Sequence, residues 1–156
     1  MINSTEENFI SDAVNKYSDT VFRVAFQYTK DRFDAEDIVQ EVFLKLLKKP
    51  PKDFDRNGLK AWLIRVTINK SKDFLRAGKR MRTVVRDYVA PSPPVCYDEV
   101  FDALSMLSER DRNALYLHYY EGYTAREIAS ITRGSERAVT KRIGRAREKL
   151  KNFLEE

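Results

Sequence analysis

Apolar residues recur at steps of three and four along most of the chain, the period of helices that bury one face. Phe9, Ile10, Ala13, Tyr17, Val21, Phe22, Ala25 and Phe26 keep that rhythm over residues 7–29. Asp34 is placed to cap a second helix, whose stripe is Ile38, Val39, Val42, Phe43, Leu46 and Leu47. Pro50-Pro51 stops it, and PPKDFDRNG reads as a loop ending at Gly58. A third helix, over residues 59–78, carries Trp62, Leu63, Val66, Phe74 and Leu75. The rhythm then breaks at RDYVAPSPPVCYDE, where Pro91, Pro93 and Pro94 fix φ and favour extended chain.

Past that break the helical pattern resumes in shorter pieces. Val100, Phe101, Leu104 and Leu107 mark a short helix. Ser108-Glu109-Arg110-Asp111 is a start signal for the next, which holds Leu115 and Leu117 and ends at Gly122. Thr124-Ala125-Arg126-Glu127 fits a capping box, in which two side chains satisfy each other's orphan N–H groups. The helix it opens turns Ile128, Ala129 and Ile131 inward, and Thr132-Arg133-Gly134 is a turn. Ser135 caps a last helix with the stripe Val139, Ile143, Ala146, Leu150 and Phe153. Strand-like alternation is scarce. The pattern therefore predicts an all-α chain of two small helical domains, residues 1–80 and 97–156, joined by an extended linker over 81–96.

Composition narrows the class. The 156 residues are 42% hydrophobic and 34% charged, too apolar for a disordered tail and too charged for a membrane protein. No apolar run is long enough to cross a membrane, so no membrane insertion is expected. The opening MINSTEENFI has no basic region and no apolar segment, so it does not read as a secretory signal, and a cytoplasmic location is expected. One cysteine and one histidine leave no disulfide framework and no ordinary zinc cage, so no metal and no cofactor are expected. Cys96, in the linker, reads as an incidental thiol, and His118, in LYLHYY, as a packed or half-exposed helix residue.

Charge is sorted along the chain. Residues 60–82 hold eight Lys/Arg and one acid, a net of +7, and residues 126–151 hold nine and three, a net of +6. Residues 31–41 and 98–111 each hold one base and five acids, a net of −4. Basic patches point to a polyanion, and acidic ones to a second, different partner.

Three constellations carry that chemistry. The last two helices, joined by a short Gly-containing turn, make a helix-turn-helix. Arg137, Thr140, Lys141, Gly144 and Arg145 face away from the second helix's apolar stripe, a mix that can read a major groove. Gly144 is out of place in a helix interior, where it costs about 1 kcal/mol against Ala. Either the duplex comes close there or the helix simply tolerates it. On the third helix Arg65, Asn69, Lys72 and Arg76 line one face, with Phe54 and Trp62 near its start. A basic edge beside aromatics suits single-stranded nucleic acid, although a solvated face and a core Trp62 would look the same. On the second helix Asp34, Glu36, Asp37, Gln40 and Glu41 cluster on the polar side. They serve either the helix dipole or a basic partner.

The order of these signals resembles one family, the bacterial RNA polymerase sigma factors of the extracytoplasmic-function (ECF) group in the sigma-70 family. DAEDIVQEVFLKL resembles region 2.2, and LKAWLIRVTINKSKDFLR resembles regions 2.3 and 2.4. LSERDRNALYLHYYEGYTAREIA and SERAVTKRIGRAREKL resemble region 4. The resemblance implies transcription initiation and promoter recognition rather than enzymatic catalysis. It implies core-polymerase binding, at the β′ coiled coil, by Asp34, Asp37, Gln40 and Glu41. It implies capture of the melted non-template strand of the −10 element, with a flipped base, by Phe54 and Asn69, while Arg65, Lys72 and Arg76 hold phosphates. It implies reading of the duplex −35 element by Arg137, Thr140, Lys141, Gly144 and Arg145, and an anti-sigma factor as a further partner. Where the family's turn reads Leu-Gly-apolar before the Ser, this chain has Thr132-Arg133-Gly134. Gly134 thus gives up an apolar contact that helps seat the recognition helix.

Other readings remain open on the residues alone. A stand-alone helix-turn-helix DNA-binding regulator would leave the acidic helix and the Arg65/Asn69/Arg76 face unexplained. A metal enzyme using Asp34 and Asp37 lacks further ligands. A relic that docks on polymerase without starting transcription would retain the same motifs.

Overall fold

The computed structural model describes residues 4–52, 56–81 and 103–155, and every regular element among them is helical. Contacts divide the chain into two units, Met1–Arg86 and Asp87–Glu156. Phe54, Cys96, Val100, Phe101 and the expected linker beyond Met81 lie outside the described residues.

The first unit is three helices packed pairwise: α1 (Ser4–Thr29), α2 (Arg32–Lys48) and α3 (Arg56–Met81). The predicted stripes meet in one core, where Val21, Ala25, Ala35, Val42 and Leu46 have no exposed surface and Leu63 almost none. Burying a side chain of Val or Leu size stabilises by about 1.5–3 kcal/mol, and this core is what sets the rotation of each helix. Phe9, Ile10, Trp62 and Phe74 pack around it, so Trp62 is core filling. Thr67 and Ser71 are fully buried on α3, and the Thr67 hydroxyl donates to Leu63 O at 2.6 Å.

Between α1 and α2 the chain reverses in two residues. Lys30 takes the left-handed conformation with φ 53°, and its N–H donates to Phe26 O at 3.0 Å. Asp31, not Asp34, caps α2: its carboxylate accepts the Asp34 N–H at 2.9 Å. DRFD offers two aspartates three residues apart, and the chain uses the first. Asp34 then sits in the first turn, where a carboxylate complements the helix dipole.

The described part of the second unit opens in helix at 103–105, where Met106 N–H donates to Ala103 O at 3.2 Å. Leu107 lies beyond that turn and is buried. Ser108 caps α4 (Glu109–Leu115) by accepting the Asp111 N–H at 3.2 Å. α4 runs on into a wider π turn, Tyr116–Tyr120, where Glu121 N–H reaches back five residues to Tyr116 O. Gly122 then uses its freedom at φ 80° to leave the helix. The capping box is present: Glu127 N–H donates to Thr124 Oγ1 and Thr124 N–H to Glu127 Oε1, both at 3.1 Å. It opens α5 (Ala125–Thr132), and Ser135 caps α6 (Glu136–Glu155) by accepting the Ala138 N–H at 3.1 Å.

In the turn between α5 and α6 the left-handed residue is Arg133, with φ 57°. For a residue with a Cβ this conformation costs of order 1–2 kcal/mol. Gly134, the next residue, has no positive φ, and a Cβ there would meet only Thr132 Oγ1 at an ordinary 3.8 Å. The glycine thus stands one position past the one that would use it.

α6 is held against α4 by burial and by charge. Asp111, 8% exposed, accepts from Arg142 Nη1 at 3.0 Å and lies 3.9 Å from Lys149 Nζ. Its neighbour Arg112 is buried and donates to the carbonyls of Leu107 and Ser105. One buried carboxylate thereby ties two turns of α6 to the start of α4. Asp111→Ala should lower the stability of this unit by about 1–3 kcal/mol, since Arg142 loses a partly desolvated partner. Chemical denaturation of the full chain followed by circular dichroism checks it; a loss below about 0.5 kcal/mol would mean an ordinary surface pair.

Candidate nucleic-acid and partner interfaces

Because the core sets the rotation of each helix, the outward faces follow from sequence spacing. On α2, Asp37, Gln40 and Glu41 are exposed and Asp34 is half-buried. Asp37 and Gln40 have no polar partner among the described residues, whereas Glu41 lies 3.9 Å from Lys70 of α3. Two large apolar residues share this face: Phe33 is 52% exposed and Leu44 50%. Residues 33, 37, 40, 41 and 44 fall on one side of a helix, about 16 Å from end to end. The face is therefore two acids and an amide between two apolar ends. Sequence reading missed Phe33 and Leu44. Their spacing on the polar side of the stripe was the available signal.

On α3 the four residues singled out, Arg65, Asn69, Lys72 and Arg76, also fall on one side at steps of four, three and four. Asn69 and Arg76 are exposed; Arg65 and Lys72 are half-buried, each with an interaction partner. Arg76 Nη1 lies 3.4 Å from Asp73 Oδ1, both largely exposed, a contact water competes with easily. The Asn69 amide has no partner among the described residues, so its donors and acceptor face outward.

α6 sorts its cations by side. Val139, Ile143 and Ala146 are buried. Arg142 and Lys149 serve Asp111, and the Arg147 guanidinium lies 5.7 Å over the Tyr119 ring. Arg137, Lys141 and Arg145 stand on the opposite side, exposed, with no ion pair among the described residues. Like charges four residues apart destabilise a helix by roughly 0.2–0.5 kcal/mol per pair. A stripe of three, left unneutralised, suits a polyanion. Thr140, on the same side, donates its hydroxyl back to Glu136 O at 2.9 Å, and Gly144 is exposed beside it.

The π turn behind α6 gathers aromatic side chains. Tyr116 and Tyr120 stack at 5.1 Å, and the Tyr116 hydroxyl donates to Glu121 Oε1 at 2.7 Å. His118 is half-buried, its Nδ1 2.8 Å from Tyr123 O, a contact that requires the proton on Nδ1. Among the described residues no three His, Cys, Asp or Glu side chains gather to hold a metal ion. No helix there is long and apolar enough to cross a membrane.

Comparison with known proteins assigns the two units to a family. The family model for sigma-70 region 2 matches residues 13–81, and that for sigma-70 region 4 matches residues 97–150. The ECF RNA polymerase sigma factor SigL of Mycobacterium tuberculosis is 30% identical over 154 residues, 91% of this chain and 86% of SigL. The probable RNA polymerase sigma factor RfaY of Xanthomonas campestris is 28% identical; the match takes in 90% of this chain and 39% of that longer protein. Among solved structures, sigma factor RpoE of Bartonella quintana, in complex with the anti-sigma factor NepR, is similar in fold. Its TM-score is 0.76 at 22% identity, over 93% of this chain and 96% of RpoE. CnrH, in complex with the cytosolic domain of CnrY, gives 0.69 at 25% identity, over 96% of this chain and 89% of CnrH. The region 2 match accounts for the first unit, which a stand-alone helix-turn-helix regulator would leave without a role. The chain belongs to the ECF group of the sigma-70 family, the RNA polymerase sigma factors that direct promoter-specific initiation of transcription.

Proposed function

We propose that this sigma factor divides its work among the three faces. Asp34, Asp37, Gln40 and Glu41 of α2 dock on the β′ coiled coil of core RNA polymerase. Arg65, Asn69, Lys72 and Arg76 of α3, with Phe54 before it, hold the melted non-template strand of the −10 element. Arg137, Thr140, Lys141, Gly144 and Arg145 of α6 read the −35 duplex. Residues 1–80 and 97–156 are the corresponding domains, and 81–96 the linker. One observation carries this reading: an acidic face and two basic ones point outward on separate helices, with Asp37, Arg137, Lys141 and Arg145 unpaired among the described residues. Such charges suit partners of opposite sign.

On this reading the protein works in the cytoplasm and catalyses nothing itself. It supplies recognition and strand opening to a polymerase that carries out the chemistry. Extruding a base costs a few kcal/mol, offset by stacking and hydrogen bonds to its edge. Asn69, with a free amide on an exposed face, offers such bonds. An anti-sigma protein that covers these faces is the expected regulator. The complex of RpoE with the anti-sigma factor NepR supports that expectation.

Run-off transcription on genomic fragments, with core polymerase alone and with this protein added, tests the function. New start sites sharing two spaced motifs are the expected result, and polymerase binding without new starts would identify a relic. Asp37→Arg with Glu41→Arg should weaken polymerase binding by roughly a hundredfold or more while circular dichroism stays native. Native affinity in a pull-down would remove α2 as the docking face. Asn69→Ala should slow promoter opening by about tenfold, the equivalent of one good hydrogen bond, with closed-complex affinity nearly unchanged. Undiminished permanganate reactivity of the melted strand would rule out the base-capture role.

A further inference from the structure

Two residues of the helix-turn-helix unit work against its own stability, and both are exposed. Arg133 holds φ 57° in the turn between α5 and α6, where glycine would be at ease. Lys30 takes a similar conformation in the first unit, but Lys30 has an interaction partner; the Arg133 guanidinium has none among the described residues. Gly144 stands inside a 20-residue helix, where almost any other residue would be more stable. Neither its backbone nor its packing asks for glycine: its φ is not positive, and a Cβ there would meet nothing within 4 Å.

We infer that Arg133 and Gly144 are duplex contacts: Arg133 meets a phosphate beside the turn, and Gly144 lets a DNA strand approach the backbone of α6. The inference rests on α6 being the duplex reader. Arg133 lies two residues before the Ser135 cap, at the positive end of α6, where free backbone N–H groups already favour an anion. A guanidinium adds a two-pronged donor matched to phosphate oxygens. Gly144 follows Thr140 and Lys141 by one turn and adjoins Arg145, all exposed. A missing side chain there leaves a notch between two cations. A methyl group in it would hold Lys141 and Arg145 off the duplex by its own thickness. The two positions are independent, one seen in a dihedral angle and one in empty space.

The test uses the full chain, free for thermal unfolding and bound to core polymerase for affinity on a promoter fragment found by the run-off assay. Arg133→Gly should raise the unfolding midpoint by about 4 °C or more. It should also weaken promoter binding about threefold or more, and reduce the slope of log affinity against log salt by about 0.9, one phosphate contact. Gly144→Ala should raise the midpoint similarly, weaken promoter binding by about tenfold and lower the salt slope as Lys141 and Arg145 are held off. A stabilised variant with unchanged or tighter promoter binding would overturn the role of that residue. So would failure of Gly144→Ala to stabilise, since the fold would then need the glycine. Arg137→Ala with Lys141→Ala serves as the reference. If it too leaves affinity unchanged, the reading of α6 itself fails; if it alone weakens binding, only the present inference does.

Discussion

A helix that buries a stripe of residues has no rotational freedom left, and that constraint aims the charged side chains of the described helices. In α6 the buried residues Val139, Ile143 and Ala146 lie within a narrow arc. At 100° per residue, Arg137, Lys141, Gly144 and Arg145 must then fall on the far side. The same holds for α2, where burial of Ile38, Val42 and Leu46 turns Asp37, Gln40 and Glu41 outward. The outward faces of these helices are products of the core, so a substitution that re-seats the core would re-aim a face without touching it.

Electrostatics then divides by side. Charges on the inner flank are used up within the unit: Arg142 and Lys149 on Asp111, Arg112 on backbone carbonyls. On the outer flank of α6, Arg137, Lys141 and Arg145 are left over among the described residues. Their mutual repulsion is a small cost in the free protein and a source of long-range attraction toward an oppositely charged partner, on a scale set by ionic strength. Asp111 joins the two roles. Its buried carboxylate grips α6 from the inner side and so steadies the face that α6 presents on the other.

Much of this was legible in the residues, for physical reasons that differ by element. Caps were readable because they are local: Ser108, Thr124 with Glu127, and Ser135 each satisfy donors three residues away. Stripes were readable because each helix has a single buried side. Ambiguity entered where two residues could do one job, as with Asp31 and Asp34. The π turn at Tyr116–Tyr120 left no mark, because it differs from an α turn by one hydrogen-bond step rather than by composition. The left-handed residue of the helix-turn-helix was hidden for the opposite reason: a glycine stands beside it, and composition favours Gly134 where the backbone uses Arg133. Phe33 and Leu44 were passed over because exposed apolar residues are individually unremarkable; their meaning lies in sharing a side with the acids.

The π turn bears on how chain length can vary in this fold. A π turn contains one residue more than an α turn, and Glu121 N–H bonding back to Tyr116 O takes up the surplus locally. Removing one residue between 116 and 121 would let α4 continue with regular bonding. Gly122 and the capping box at Thr124 would still be available to restart the chain in its present direction. Single-residue insertions and deletions among relatives should therefore collect in this stretch, where a change of hydrogen-bond register absorbs them, and be rare within α5 and α6, where they would rotate the buried stripe out of the core.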